Sequence, residues 1–145
     1  MIKKGEILIK KDLLYPEEYY VIMGAAFEVY REFGAGFLEG VYQECLELEF
    51  IRRKIPFIAQ QIITLEYKGT QLKQIYKPDF ICYNKIILEI KALDKLAPEH
   101  ESQVINYLRA SNMKLGILIN FGSYPKATSK RLINLPRKLI INENT

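Results

Sequence analysis

Asp79, Glu89 and Lys91 are the residues of this 145-residue chain whose types and spacing could do chemistry together. Asp79 follows Pro78 in one apolar run, and Glu89-Ile90-Lys91 lies in the next. On an extended strand residues two apart share a face, so Glu89 and Lys91 project together while Leu88 and Ile90 turn toward a core. Charged side chains inside an apolar strand are expensive to bury unpaired. A divalent cation beside both carboxylates, with the lysine reaching a phosphate, would compensate them. Asp79 and Glu89 are hard oxygen ligands of the kind Mg²⁺ prefers, and the backbone carbonyl of Ile90 is a natural further one. A cation held there would acidify a bound water and neutralise charge on a phosphate under attack. Lys91 would orient or deprotonate that water, or offset the developing charge. The set suits hydrolysis of a phosphodiester. The plainer alternative is a Glu–Lys pair on the solvated face of a surface strand.

Parity puts a condition on this site. If Asn84-Lys85 formed a two-residue hairpin loop, Tyr83 would pair with Ile86 and Phe80 would oppose Glu89. Directly paired residues share a face, so Asp79 would then point away from Glu89. An odd-length loop or a bulge is therefore required, placing Asp79 opposite Glu89 or Lys91.

The elements that must position these residues can be read along the chain. Pro16 with Glu17 and Glu18 starts a helix that runs to about Phe33, where Gly34 ends it. After Gly34-Ala35-Gly36 a second helix covers about Glu39 to Arg53, with Tyr42, Cys45, Leu46 and Glu49 at helical spacing. Ile58 to Tyr67 reads as one strand ending at the turn Lys68-Gly69-Thr70, Leu72 to Tyr83 as a second and Ile86 to Leu93 as a third. Pro98 and Glu99 open a helix to about Ser111. Leu115 to Phe121 is a strand buried on both faces, and Arg131 to Ile141 adds a last one. The order predicts an α/β chain with a mixed sheet and helices packed on it. Without repeats or a linker of biased composition, residues 1–145 form one domain.

Two helices offer supporting residues. His100, Gln103 and Tyr107 lie at i, i+3 and i+7 and share a helix face directly after the Glu89–Lys91 strand. Gln103 could hold the attacking water or a phosphate, with Tyr107 bracing it. His100, the only histidine, reads more readily as a surface or capping residue than as a base. Glu39 stands at a helix N-terminus, where the dipole already favours a carboxylate.

Bulk properties narrow the partners. The net charge of +4 permits nucleic acid without demanding it. Arg52, Arg53, Lys54, Lys126, Lys130, Arg131, Arg137 and Lys138 are candidate backbone contacts, each also an ordinary solvated charge. No aromatic-rich basic stripe, helix-turn-helix or zinc finger announces itself, so sequence specificity would come from loops of the domain, a homodimer or a protein partner. Cys45 and Cys82 have neither zinc-ligand spacing nor a disulfide framework. Met1-Ile2-Lys3-Lys4 runs into Glu6, Lys10, Lys11 and Asp12 rather than an apolar segment. No later stretch approaches the ~20 apolar residues of a span, and the protein reads as cytoplasmic with no membrane partner.

Gly36, Glu39 and Tyr42 form a Gly-x-x-Glu-x-x-Tyr signature, and here the chain resembles the GxxExxY proteins, a prokaryotic branch of the PD-(D/E)XK nuclease superfamily. The likeness takes in Asp79, Glu89-Ile90-Lys91, His100 with Gln103 to Leu108, and Gly116 to Gly122. It implies a restriction-endonuclease-like αβββαβ core with an extra N-terminal helix. It also implies a Mg²⁺ or Mn²⁺ site at Asp79 and Glu89, a catalytic Lys91, and Glu39 as a further residue at the metal. Gln103 with Tyr107 matches a Gln-x-x-x-Tyr motif of exonuclease-like relatives. A nuclease acting on nucleic acid, DNA before RNA, is the function implied. The rival is a catalytically silent module that binds nucleic acid or a protein. It has no need of two clustered carboxylates, which would repel a phosphate backbone unless a cation lay between.

Overall fold

The computed structural model describes residues 14–134. Helix α1 spans Pro16–Phe33, and the Gly34 amide closes it by donating to the Tyr30 carbonyl at 2.6 Å. Gly34 adopts φ +67°, which favours glycine. Helix α2, Glu39–Arg52, buries Tyr42, Leu46 and Phe50, one per turn. Helix α3, Pro98–Ser111, buries Val104, Tyr107 and Leu108. The strands are β1 Phe57–Ala59, β2 Ile63–Tyr67, β3 Thr70–Tyr76, β4 Phe80–Cys82, β5 Ile86–Lys91, β6 Leu115–Asn120 and β7 Thr128–Ile133.

The main sheet has the order β1-β4-β5-β6-β7, and β2 with β3 forms a separate two-stranded ribbon. Among the described strands only β5 and β6 run parallel, because α3 carries the chain across between them. Ile86, Leu88 and Ile90 of β5 pack with α1 and α2 on one face. Ile81 and Ile87 meet Tyr107 and Leu108 of α3 on the other. Strands β5 and β6 are buried on both faces, and both are apolar runs broken only by Glu89 and Lys91 of β5 and Asn120 at the end of β6. Each fully buried Ile or Leu contributes about 1.5–3 kcal/mol, and those of β5 fix the strand that carries Glu89. The α3 crossover lies close on the sheet, since a Cβ on Gly116 would stand 2.5 Å from Val104 Cγ1. Among the described residues no helix is long and apolar enough to cross a membrane.

Three expectations are corrected. The strand read from Ile58 to Tyr67 is two, β1 and β2, in different sheets. The chain is redirected at Gln60, which has φ +57°. The strand read from Leu72 to Tyr83 also divides, into β3 and β4. Pro78, in the interruption between them, has no amide to offer a ladder. The last strand begins at Thr128 rather than Arg131. Its expected continuation beyond residue 134, with Arg137 and Lys138, lies outside the described residues. The parity condition is met: Cys82 pairs with Ile86, Ile81 with Ile87 and Phe80 with Leu88, which leaves a three-residue loop, Tyr83-Asn84-Lys85. Tyr83 and Asn84 both take positive φ, 55° and 57°, to make that turn.

Candidate active site

One step past Phe80–Leu88, the same register sets Asp79 opposite Glu89. The backbone ladder stops there and side chains replace it. The Asp79 amide donates to Glu89 Oε1 at 3.0 Å, and the Ile90 amide donates to Asp79 Oδ2 at 2.8 Å. Within a strand the amide and carbonyl of one residue face the same neighbour, so the Ile90 carbonyl also faces the Asp79 side. Glu89 is 4% exposed. Burial, and then the Asp79 carboxylate beside it, push its pKa up to about 8.

Lys91 lies on the Glu89 face of β5, half-buried, and makes no ion pair among the described residues. Tyr107 is buried with its ring edge-on to Tyr76, centroids 5.2 Å apart. Burial, then the Glu89 and Asp79 carboxylates, hold its phenol firmly protonated, ready to donate to Glu89. Gln103 is half-buried on the same helix. His100 is a capping residue: its Nδ1 accepts from the Ala97 amide at 2.9 Å, which leaves Nε2 as the free ring nitrogen.

Glu39 opens α2 and is exposed as a residue. Its carboxyl nonetheless lies within electrostatic reach of Lys91, Asp79 and His100, and removal from water raises its pKa against the pull of Lys91. It stands apart from the Asp79–Glu89 pair. Among the described residues no three His, Cys, Asp or Glu side chains gather as a metal-holding group. Tyr42 faces away from the carboxylates and ties down the loop before Glu39. Its hydroxyl donates to the Gly34 carbonyl at 2.5 Å and accepts from the Phe37 amide at 3.2 Å. The ring stacks on Phe121 at 4.5 Å.

Two residues at the site escaped the sequence reading. Gln60, just after β1, donates from its backbone amide to the Asp79 carbonyl at 3.1 Å and from Nε2 to Asp79 Oδ1 at 3.3 Å. Asn120 is 1% exposed and pins the chain as it leaves β5. Its Oδ1 accepts from the Leu93 and Gly122 amides, each at 3.0 Å, and its Nδ2 donates to the Leu93 carbonyl at 2.8 Å. An asparagine closing a fully apolar strand was the available signal for it. The cysteines are both free, with Cys82 pushed by burial up to about 12. A cleft between α1 and α2 is lined by Glu28, Phe33, Leu48 and Arg52 and holds none of these site residues.

Among solved structures, SSO0001 superimposes with a TM-score of 0.53 at 20% identity, over 71% of this chain and 54% of that one. An alkaline exonuclease (LHK-Exo) from Laribacter hongkongensis gives a TM-score of 0.45 at 12% identity, over 68% of this chain and 56% of its own. The chain thus spans little more than half the length of either. Among curated proteins none matches it. The family profile that matches residues 16–132 takes in every site residue described above, from Glu39 to Asn120, and by that match the chain belongs to the PD-(D/E)XK nuclease superfamily.

Proposed function

We propose that this chain is a divalent-metal-dependent nuclease that hydrolyses phosphodiester bonds of nucleic acid, with DNA its substrate, and that residues 1–145 form a single domain of that kind. The observation that carries the reading is the apposition of Asp79 and Glu89 at the point where the β4–β5 ladder gives way to side-chain hydrogen bonds. A buried carboxylate facing a second one disfavours its own ionisation, and a hard cation relieves that conflict. Nucleases of this superfamily generally use divalent metals.

The donor set fits Mg²⁺ or Mn²⁺. Two carboxylates and the Ile90 carbonyl would hold the ion, leaving its remaining positions to water and phosphate, as Mg²⁺ prefers. When bound, the ion supplies Lewis-acid activation of water and charge neutralisation at phosphorus. The chain's own groups do the rest. Lys91 places a cation on the same strand face as Glu89 for the attacking water or the phosphate. Tyr107, whose phenol stays protonated beside Glu89, is assigned to orient that carboxylate, as an outer partner does. Gln103 is assigned to the water or a phosphate oxygen. His100, with Nε2 free, and Glu39, within electrostatic reach of Lys91, Asp79 and His100, are assigned supporting roles toward water at the site.

We also place the chain in the GxxExxY branch, because each signature residue has a separate job around the site. Gly36 takes φ +110°, which favours glycine, Glu39 lies within electrostatic reach of Lys91 and Asp79 from the first turn of α2, and Tyr42 clamps the loop between them.

The test is incubation of the protein and its Asp79→Asn variant with labelled single- and double-stranded DNA and RNA, with Mg²⁺, Mn²⁺ or EDTA. Metal-dependent cleavage, cut in the variant by more than the ~100-fold typical of outer partners, supports the reading. Binding of either polymer without cleavage under all conditions would favour the silent module.

A further inference from the structure

A cleft of about 480 Å³ has in its wall Glu39, whose carboxyl lies within electrostatic reach of Lys91 and Asp79. That volume is within the range of small-molecule sites, about 300–1,000 Å³. Three loops build it: Gly34–Leu38, the segment after β5 at Ala92 and Asp94, and the one after β6 at Gly122 and Tyr124. Three large apolar side chains stand exposed there, Tyr124 at 87%, Leu38 at 82% and Phe37 at 46%. Scattered singly they would be ordinary. Gathered on the rim of one cleft, they form a surface that marks a binding site.

Both aromatic-bearing loops are tied down next to their exposed rings. The Phe37 amide donates to the Tyr42 hydroxyl, and the Phe37 ring meets Phe33 edge-on at 5.1 Å. Beside Tyr124, the Ser123 carbonyl accepts from the Tyr30 hydroxyl at 2.8 Å, and the Ser123 hydroxyl meets Asn120 and Thr128. The loops that carry both rings are thus held in place, so a ligand loses little to ordering them. The charged groups in the cleft are the carboxylates Glu39 and Asp94. They would repel a phosphate but accept from the amino or imino groups of a base.

We infer that this cleft is a nucleobase subsite, in which an unpaired base next to the scissile phosphate stacks against Tyr124 and Phe37 with its polar edge toward Asp94. The inference rests on the nuclease reading, because Glu39, in the wall of the cleft, lies within electrostatic reach of Asp79 and Lys91. It specifies a substrate that is single-stranded or frayed at the cut. A base paired within a continuous duplex does not present a free π-face.

The test measures binding of a fluorescein-labelled oligodeoxythymidylate of about 12 nucleotides by anisotropy in Ca²⁺, beside a blunt duplex of equal length. It uses the wild type, Tyr124→Ala and Tyr124→Phe, with cleavage in Mn²⁺ measured in parallel. Base–aromatic stacking predicts about 5- to 150-fold weaker single-strand binding for Tyr124→Ala, near-wild-type binding for Tyr124→Phe, and little change on duplex. Tyr124 is so exposed that its truncation leaves the fold intact. Equal single-strand binding by Tyr124→Ala and a wild type that cleaves would overturn the subsite and leave the nuclease reading standing. A wild type that neither binds nor cleaves any polymer would overturn both.

Discussion

The backbone amide of Asp79 donates to the carboxylate of Glu89 at 3.0 Å, and the carboxylate of Asp79 accepts from the amide after Glu89, that of Ile90, at 2.8 Å. The two acidic residues therefore continue a β-ladder with side chains where the backbone has stopped pairing. The arrangement needs both partners on one face, and the three-residue loop at Tyr83–Lys85 provides that. It also sets two carboxyl groups against each other where the strands part, so that both can ionise together only with a cation between them.

The pH dependence of the metal-free protein follows from Glu89. Its pKa in the fold is about 8, chiefly through burial, against about 4.3 when unfolded. Between those values the folded chain holds a proton that the unfolded chain has released. Stability from this group is full below about pH 4.3, falls as pH rises toward 8, and levels off above. Denaturant unfolding in EDTA across that window should show the decline, and Glu89→Gln should flatten it. Metal loading should release a proton and strengthen with pH up to about 8.

Asn120 is expected to act by holding Leu93 and Gly122 together behind the end of β5. Asn120→Ala takes the partner from part-buried backbone groups, a loss of about 1–3 kcal/mol. Chemical denaturation would measure it. A change within a few tenths of a kcal/mol would show that water replaces the side chain at no cost.

Tyr42→Phe separates packing from positioning. The ring keeps its stack on Phe121, while the loop before Glu39 loses its hydroxyl clamp. Stability should fall by about 1 kcal/mol, and cleavage should fall further than that loss explains. Undiminished kcat/KM in the variant would remove Tyr42 from the positioning of Glu39.

The residues of the carboxylate pair were legible because strand periodicity is strict. Glu89 and Lys91 had to share a face, and parity alone required an odd loop before Asp79 could join them. The splitting of the two long strand runs was not legible. Gln60 turns the chain in a conformation that glycine usually supplies, and the break at Pro78 hides inside a run that otherwise reads as a strand. The separate roles of Glu39 and Tyr42 were hidden for another reason. A helix N-terminus favours a carboxylate on its own account, and only the folded loop shows that Tyr42 serves Gly34 and Phe37. The aromatic cleft joins Phe37 to Tyr124 across most of the fold, and no local pattern signals that.

Gly122 is a position where substitution should be costly. A Cβ there would stand 2.2 Å from the Leu93 carbonyl oxygen and 2.4 Å from its nitrogen, so backbone would have to move. Gly122→Ala is expected to destabilise by about 1–3 kcal/mol, the cost of overpacking, and to disturb the end of β5 beside Lys91. Thermal unfolding of the variant checks this, since wild-type stability would mean the loop after β6 shifts freely.

The central claim is most directly tested by calorimetric titration of Mn²⁺ and Mg²⁺ into the wild type and into Glu89→Ala. Circular dichroism would first verify that both are folded. Saturable binding by the wild type, lost in the variant, is the result predicted by a cation held between Asp79 and Glu89. Indistinguishable titrations from the two proteins would contradict it, leaving the carboxylate pair as a structural cap on the β4–β5 ladder.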